Sequence, residues 1–332
     1  MNHTVRTVPP FHPFHPRPFL LRHPLAGALA MLAGGAAACD SCGCHLPPEL
    51  GAPHAGLSLG IFEQYADFST LQEEGREIGN PHGQWLHSST TQLIAAWRFD
   101  DAYAMQLFVP YIFRSFKRPN NGVEETGNVA GLGDVSLLGS ARLWRVQNGD
   151  SAGSLTVRAG VKAPTGDPGQ LQSERDGGGD EDPDNAVGGH DLALGSGSWD
   201  AVGGATAIGR LDDWYGVLQV LATWHSEGAY QYRMANEISA TVSAGRYLWQ
   251  DGRSHVAAQL NLEGESKGAD TVAGEATDDT ANHNLFVGPE IAAQVAGRWS
   301  GIVAVDLPII ERNSAVQLVP TWRLRAGVNW AF

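Results

Sequence analysis

The sequence predicts an all-β protein, a transmembrane up-and-down antiparallel β-barrel of about twelve strands and of the outer-membrane type. Three observations predict it: an alternating C-terminal stretch, a series of similar segments ahead of it, and connections that are short and long in turn. Alternation with a period of two places apolar residues on one face of a strand and polar residues on the other. In a membrane barrel, lipid covers the first face and a wet lumen the second.

The C-terminal stretch from 317 to 332 alternates almost without interruption. Its apolar row is Leu318, Pro320, Trp322, Leu324, Ala326, Val328, Trp330 and Phe332. Its other row is Thr321, Arg323, Arg325, Gly327, Asn329 and Ala331. A half-buried edge strand of a soluble sheet has the same pattern, so the earlier segments decide. The end of the apolar row, Trp330 and Phe332, resembles the C-terminal signal read by the outer-membrane assembly machinery, which makes that machinery an expected partner.

Composition excludes several classes of protein. The chain has 332 residues, 42% hydrophobic and 17% charged, with 41 glycines and a mean hydropathy of −0.20. These values fit neither a disordered chain nor a helical membrane protein. The net charge of −14 is not offset by any basic run, which excludes nucleic acid as a partner because phosphate binding needs a basic face.

The first 38 residues have the features of an export signal. Basic residues up to Arg22 precede a run of apolar and small residues from Pro24, and Ala36 to Ala38 supply small residues for cleavage. The run is too short to span a bilayer. We therefore expect a signal peptide over 1–38, a cysteine-rich periplasmic tail and linker over 39–54, and an outer-membrane β-barrel over 55–332.

The expected tail holds all three cysteines of the chain. Cys39, Cys42, Cys44 and His45 offer three thiols and an imidazole close together, a donor set that suits copper or zinc. In an oxidising periplasm, one disulfide with one free thiol would compete with the metal. Lipid attachment at Cys39 is a third state, and the sequence leaves all three open.

Alternating segments fill the rest of the chain. They span roughly 55–68, 88–100, 103–116, 133–147, 152–163, 191–210, 213–226, 234–249, 253–266, 283–297, 299–311 and 317–332. In the fifth, Leu155 and Val157 alternate with Arg158 and Lys162. In the dry core of a soluble sandwich an unpaired charge costs several kcal/mol, whereas in a wet lumen it costs little. Charges that recur at mid-strand on one face therefore favour a barrel.

The connections favour the same fold. Short turns lie at 100–101, 148–151, 211–212 and 250–252 and near 298, and long polar loops at 69–87, 117–132, 164–190 and 267–282. Short periplasmic turns and longer external loops are typical of outer-membrane barrels, and an even strand number leaves both termini in the periplasm. Aromatic residues near segment ends fit two interfacial girdles. They are Trp97, Phe99, Tyr103, Tyr111, Phe113, Trp214, Tyr247, Trp249, Trp299, Trp322 and Trp330.

Three short motifs carry a family resemblance. They are Gly131-Leu132-Gly133-Asp134-Val135, Val161-Lys162-Ala163-Pro164-Thr165-Gly166-Asp167 and Leu194-Gly195-Ser196-Gly197-Ser198-Trp199-Asp200. In order and spacing the chain resembles a bacterial outer-membrane β-barrel family assigned to transport in the MetA-type pathway of phenol degradation, over most of 55–332. The resemblance implies a barrel that passes hydrophobic or aromatic compounds. The residues themselves predict scaffold, since glycines permit sharp turns and Asp134 and Asp200 can accept hydrogen bonds from exposed amides.

Inward side chains would line a narrow lumen. The expected lining residues are Arg98, Arg114, Arg142, Arg158, Lys162, Glu237, Glu263, Glu290, Asp306, Arg323 and Arg325, together with Gln92. Basic residues fall mainly on segments 2 to 5 and 12 and acidic residues on 8 to 11, which would create an electric field across the pore. Alternatively, the charges pair with one another and close the lumen.

The loop over 164–190 is rich in acidic residues. Asp180, Asp182, Asp184 and Asp191 have the spacing of calcium ligands, although a proline interrupts the pattern and an asparagine takes the position of the usual glycine. The alternative is a solvated acidic outer loop.

No catalytic motif stands out, so we do not expect an enzyme or a required cofactor. His225 and Ser226 are adjacent, so in a strand their side chains point to opposite faces and cannot form a nucleophile with its base. We expect a channel or transporter for passive passage of small hydrophobic or aromatic solutes, surrounded by outer-membrane lipid and lipopolysaccharide. The alternative is a largely closed barrel whose cysteine tail binds a metal ion or recruits a periplasmic partner.

Overall fold

Long strands dominate the computed structural model, which describes residues 55–120, 122–177 and 185–332. Outside these ranges lie the expected signal peptide, the tail with Cys39, Cys42, Cys44 and His45, and Asp180, Asp182 and Asp184 of the acidic loop. Within the described ranges, the helices are too short and too polar for any of them to cross a membrane.

The described residues form seventeen strands and three short helices. The strands are β1 (Gly56–Glu73), β2 (Arg76–Glu77), β3 (Trp85–Arg98), β4 (Tyr103–Asn120), β5 (Val123–Leu132), β6 (Val135–Asn148), β7 (Ser151–Ala163), β8 (Asp200–Leu211), β9 (Trp214–Trp224), β10 (Tyr232–Arg233), β11 (Glu237–Asp251), β12 (Ser254–Lys267), β13 (Thr271–Val272), β14 (Glu275–Ala276), β15 (Asn282–Val295), β16 (Trp299–Asn313) and β17 (Val316–Ala331). The helices are α1 (Leu171–Gly177), α2 (Gly189–Leu192) and a 3-10 turn (Ala229–Gln231).

Twelve of the strands form an antiparallel wall that closes on itself. Each pairs with the next along the chain, in the order β1, β3, β4, β6, β7, β8, β9, β11, β12, β15, β16 and β17. β17 then returns to β1, with Ala331 opposite Ser58 at one end and Val316 opposite Glu73 at the other. The predicted up-and-down barrel is confirmed. The remaining strands belong to the connections.

Alternation determines which side chains face outward in β17. Val328 is 47% exposed on the outer surface, whereas Arg325 is 1% exposed inside the barrel. The two predicted rows hold from residue 322 onward and are wrong just before it, because a register shift opposite Phe68 places Pro320 inside and Thr321 outside. Proline has no N–H to give to the ladder, which suits it to such an irregularity.

Aromatic belts bound the outer apolar band. Tyr103 and Tyr111 are half exposed on β4, and Trp322 and Trp330 occupy corresponding places on β17. Each pair is eight residues apart, which at a rise of about 3.3 Å and a tilt of about 40° gives a band roughly 20 Å tall. That height suits the hydrocarbon layer of an outer membrane. Tyr247 is an exception among the predicted girdle residues, since it faces the interior, where its ring centroid lies 5.1 Å from that of the inward Tyr215 and the two rings are tilted.

The two ends of the barrel carry different connections. The turn end holds the first and last residues of the wall and the turns at 99–102, 149–150, 212–213, 252–253 and 296–298. The loop end holds the connections over 74–84, 121–134, 164–199, 225–236 and 268–281. The predicted alternation of lengths fails once, because β16 and β17 both extend far enough that residues 314–315 alone join them at the loop end. Residues 191–199, predicted to begin the sixth strand, belong to the connection before β8.

Candidate functional site: the barrel lumen

The three family-like motifs meet at the loop end of β6, β7 and β8, at a junction that we call the neck. Asp134 accepts hydrogen bonds from the backbone N–H groups of Gly166 (2.9 Å) and Ser196 (2.8 Å), one from each of the other two motifs. Gly195 packs against Gly166 so closely that a side-chain carbon at Gly195 would come within 2.7 Å of the Gly166 backbone. Motifs that looked like separate turns in the sequence therefore form one joint, and the predicted amide-accepting role of Asp134 is confirmed.

Between the two sides of the neck, residues 167–177 and 185–194 fold back into the mouth of the barrel. We call these residues the plug. The N–H group of Leu194 donates to the carbonyl oxygen of Asp167 at 3.1 Å, so the two ends of the plug meet. The plug is thus an insertion that leaves and rejoins the wall at a single place.

Two arginines of β4 hold the plug through its backbone. Arg114 donates to the carbonyl oxygen of Ala193 and Arg118 to that of Val187, each at 2.7 Å. Hydrogen bonds from a charged donor are stronger than neutral ones. Arg114, which the sequence predicted to line the lumen, therefore serves here as a support for the plug.

Apolar packing adds to these bonds. Val187 and Leu192 of the plug are at most 1% exposed and pack against the inward side chains Leu86 and Phe116. Burying a side chain of this size contributes about 1.5–3 kcal/mol. The plug is therefore seated on the wall and does not extend into solvent.

A buried ionic group lies within the plug. Nδ1 of His190 is 3.1 Å from Glu174, and its Nε2 is 3.4 Å from Asp191. Burial alone would lower the pKa of His190, but the two carboxylates outweigh it and raise the pKa to about 10. Burial likewise opposes ionisation of Glu174, yet contact with His190 lowers the pKa of that carboxyl. The expectation of a solvated acidic loop is wrong for Glu174, whose side chain is 5% exposed.

A second ionic group, the arginine cluster, lies on the strands next to the barrel closure. Its members are Glu263, Glu265, Glu290, Asp306, Arg323 and Arg325, each at most 4% exposed. Arg323 lies 3.0 Å from Glu263 and 2.6 Å from Glu265. Asp306 is 3.1 Å from Arg323 and 2.7 Å from Arg325. Charged groups that line a water-filled pore would be exposed to solvent, and these groups are buried. In this conformation the charges therefore pair with one another and close their part of the lumen.

A polar network lies beside the neck. Asp200 contacts Lys162 at 3.0 Å and Nδ1 of His225 at 2.9 Å. Ser198 donates its hydroxyl to Asp200 at 2.7 Å, while Nε2 of His225 points toward Glu237 at 3.9 Å. The serine contacts the carboxylate and not the imidazole. This Ser, His and Asp therefore lack the arrangement of a nucleophile with its base.

Of the remaining predicted lining residues, Gln92 is buried beneath the plug, and the others lie toward the turn end. Arg98 and Arg142 are half-buried and Arg158 is 8% exposed, all apart from the arginine cluster. Sequence reasoning missed several inward charges, among them Arg118 of β4 and, on β12, Glu265 and Lys267, which continue the inward row of that strand. The sequence pattern that could have revealed the last two is a charged residue at every second position up to the end of β12.

A cavity of about 140 Å³, which we call the chamber, lies between the plug and the wall. His190 and Leu194 of the plug line one side of it, and Phe108, Leu138 and Val202 of the wall line another. A cavity of about 150 Å³ is enough to hold benzene. The chamber therefore has room for one small organic molecule.

An inward apolar layer borders the chamber. It comprises Phe62, Ile94, Phe108, Leu138, Val202, Leu221, Ala292 and Ile302, one from each of eight wall strands, in a single contact cluster. Sequence reasoning expected a wet lumen throughout and missed this layer. The signal was an apolar residue in an otherwise polar row, as where Leu138 stands between Ser136 and Ser140.

Metal sites predicted from the sequence are not tested by the described residues. Across 55–120, 122–177 and 185–332, no three or more His, Cys, Asp or Glu side chains are arranged to hold a metal ion. The copper or zinc ligands and all the calcium ligands except Asp191 lie outside those ranges. Both metal sites stay predictions.

Comparison with known proteins supports the architecture. No family model matches the sequence, and no curated protein matches it. An outer-membrane channel from Pseudomonas putida F1 is 17% identical with a TM-score of 0.60, over 86% of this chain and 99% of that one. The β domain of the Bordetella autotransporter BrkA is 13% identical with a TM-score of 0.44, over 84% and 100%. The first likeness shows that the fold is that of an outer-membrane barrel, and the second is too weak to carry an argument.

Proposed function

We propose that the protein is an outer-membrane channel that passes small hydrophobic or aromatic solutes passively, and that the conformation described is its closed state. The turn end then faces the periplasm with the tail over 39–54, and lipid and lipopolysaccharide surround the wall. The likeness in fold to an outer-membrane channel and the resemblance of the three motifs to those of a transporter family support this proposal.

The plug is the observation that carries the proposal. Barrels of eight strands are filled by their own wall side chains, and larger barrels enclose more space. Here a segment attached at a single neck occupies the space at the loop end. Because the ends of the plug meet, it can leave the lumen without breaking any pairing between wall strands. A removable obstruction above a chamber is what a gated channel requires.

The chamber supports the solute class. Its lining combines apolar wall side chains such as Phe108 and Leu138 with charged groups that already have partners, such as Lys162. An uncharged ring or short chain would gain apolar contacts there without breaking ion pairs, whereas a charged solute would lose hydration. The chamber therefore favours small hydrophobic solutes over ions.

A liposome-swelling assay across a series of neutral solutes tests the channel. In one variant, residues 169–192 are replaced by a short Gly-Ser linker, which the contact between Leu194 and Asp167 makes feasible. We expect slow uptake with the wild type and faster uptake with the variant. Heat-modifiable migration on gels checks that both are folded, and Arg312→Ala, an exposed change at the loop end, controls for insertion. Swelling with neither protein, for any solute, would contradict the proposal.

A second candidate is the largely closed barrel that binds a metal ion or a periplasmic partner through Cys39, Cys42, Cys44 and His45. Burial of the arginine cluster favours it, since those charges close part of the lumen. Metal analysis of anaerobically purified protein, with Cys42→Ser as control, tests it. Tight metal binding without solute uptake favours this candidate, whereas uptake that persists after deletion of 39–45 favours the channel.

A further inference from the structure

The apolar layer reaches the seam where the barrel closes, although β7, β11, β12 and β17 contribute no side chain to it. Its members are at most 6% exposed. At the seam, β17 places Gly327 opposite Phe62, and a side-chain carbon at Gly327 would lie 2.7 Å from the Phe62 ring. The ring thus occupies the space that the glycine leaves. At this seam the layer leaves no room for a file of water.

Its members are apolar although they face away from lipid. Leu137 and Ile61, the strand neighbours of Leu138 and Phe62, are 41% and 50% exposed on the outer surface. These outward residues already supply the apolar surface that the membrane requires. Elsewhere the inward rows mix apolar side chains such as Phe116 with polar ones such as Gln92 and Thr206, so filling the lumen does not by itself require apolar side chains. The layer is therefore a property of the lumen that needs its own explanation.

Polar groups lie on both sides of the layer. Lys162 and Glu237 line the chamber on one side, and along β7 the inward side chain next toward the turn end is Arg158. The arginine cluster contributes nothing to the lining of the chamber, whose wall includes Phe108, Leu138 and Val202 of the layer. On that side of the barrel, the layer is what separates the chamber from the turn end.

We propose that this apolar layer is the ion barrier of the channel. An ion that enters it would exchange its hydration shell for side chains that offer no hydrogen bond, and narrow apolar constrictions exclude water for the same reason. An uncharged apolar solute passes by displacing the side chains. The inference rests on the proposed function and goes beyond it by naming the residues that set specificity.

The test uses polar residues of matched size in the variant that lacks 169–192, with ion conductance in planar bilayers of KCl as the readout. Leu138→Asn and, separately, Val202→Thr are expected to raise the conductance about tenfold or more over the plug-deleted parent, because removing about 1.4 kcal/mol from a barrier is tenfold in rate. Leu138→Met, which keeps the site apolar at similar size, is expected to leave conductance unchanged.

Each outcome decides the proposal. A plug-deleted parent that already conducts ions freely overturns it, and so does a folded Leu138→Asn variant that conducts no more than the parent. If Leu138→Asn does not fold, Val202→Thr decides, since threonine closely matches valine in shape. Solute uptake is measured separately by swelling. Conductance that rises in the polar variants while no variant takes up solute would contradict the channel function and still support the barrier.

Discussion

At the scale of residues, the arginine cluster shows how charge is kept inside the barrel wall. Arg325 holds Asp306 with two nitrogens, Nε at 2.7 Å and Nη2 at 3.0 Å. Such forked pairs are the strongest that arginine makes. Because desolvation of ions is costly, the pairs stabilise the barrel only while each charge keeps its partners.

Removal of Arg323 should therefore destabilise the barrel. Arg323→Ala leaves Glu263 and Glu265 buried without their cation, and we expect a loss of about 3–5 kcal/mol in the free energy of unfolding. Urea unfolding of the folded protein in detergent measures it. Arg312→Ala, on the exposed end of β16, is the control and is expected to change stability by no more than about 0.5 kcal/mol. Equal stabilities of the two variants would show that the cluster is not a stabilising unit.

At the scale of elements, the plug is built from pieces too short to be stable alone. α1 has seven residues and α2 four, and isolated helices below about 12–15 residues are marginal in water. Their conformation depends on the seat against Leu86 and Phe116 and on the ionic group around His190. The plug should therefore open before the wall does.

The docking of the plug should depend on pH through His190. The unfolded pKa is about 6.5 and the folded pKa is raised to about 10, so the contribution is fully present below pH 6.5 and is lost as pH rises through 10. Hydrogen exchange of residues 185–194, corrected for the intrinsic rate, is expected to show falling protection over that interval. Asp279, whose pKa is raised by burial, also faces this group.

His190→Gln is the matched control for this pH dependence. It keeps a hydrogen-bonding side chain and removes the titration, so protection of 185–194 should be lower at neutral pH and nearly flat up to pH 10. The same fall in protection in His190→Gln and in the wild type would mean that another group is responsible.

At the scale of the whole molecule, closure depends on the last strand. Every wall strand has two neighbours because β17 pairs with β1, and the N–H group of Phe332 donates to the carbonyl oxygen of Leu57 at 3.0 Å. The Phe332 ring is 58% exposed and rests on Trp330 at 4.2 Å. Because the ring is mostly exposed, it buries little apolar surface in the folded barrel. We therefore expect its role to lie in assembly.

Deletion of Phe332 is therefore expected to reduce the amount of assembled barrel several-fold while leaving solute preference unchanged in the protein that does assemble. Heat-modifiable protein in membrane fractions measures assembly, and liposome swelling measures preference. Phe99→Ala removes an aromatic side chain of similar exposure at the same end and is expected to assemble normally. Normal membrane levels of the Phe332 deletion would contradict the assembly role.

The barrel could be predicted from the sequence because a period of two is a local property. The alternation can be recognised without knowing which strands pair. It placed Arg323, Arg325, Glu263 and Glu290 on the inward face. Strand ends could be predicted less closely, since residues 191–199 were assigned to the sixth strand but form part of the plug and the neck. The inward apolar layer was missed for a related reason. A single apolar residue in the polar row of one strand cannot be recognised as part of a layer until the strands are placed side by side.

What the sequence determined by itself is the antiparallel wall, its lipid-facing surface and the even set of strands, since each depends on neighbours along the chain. Tertiary structure alone decided which charges pair, because Arg323 and Glu265 are 58 residues apart and meet only through register and closure. It also decided that three turn motifs form one neck and that an acidic loop becomes a plug. Those features depend on the space left inside a closed barrel, which exists only after the last strand has met the first.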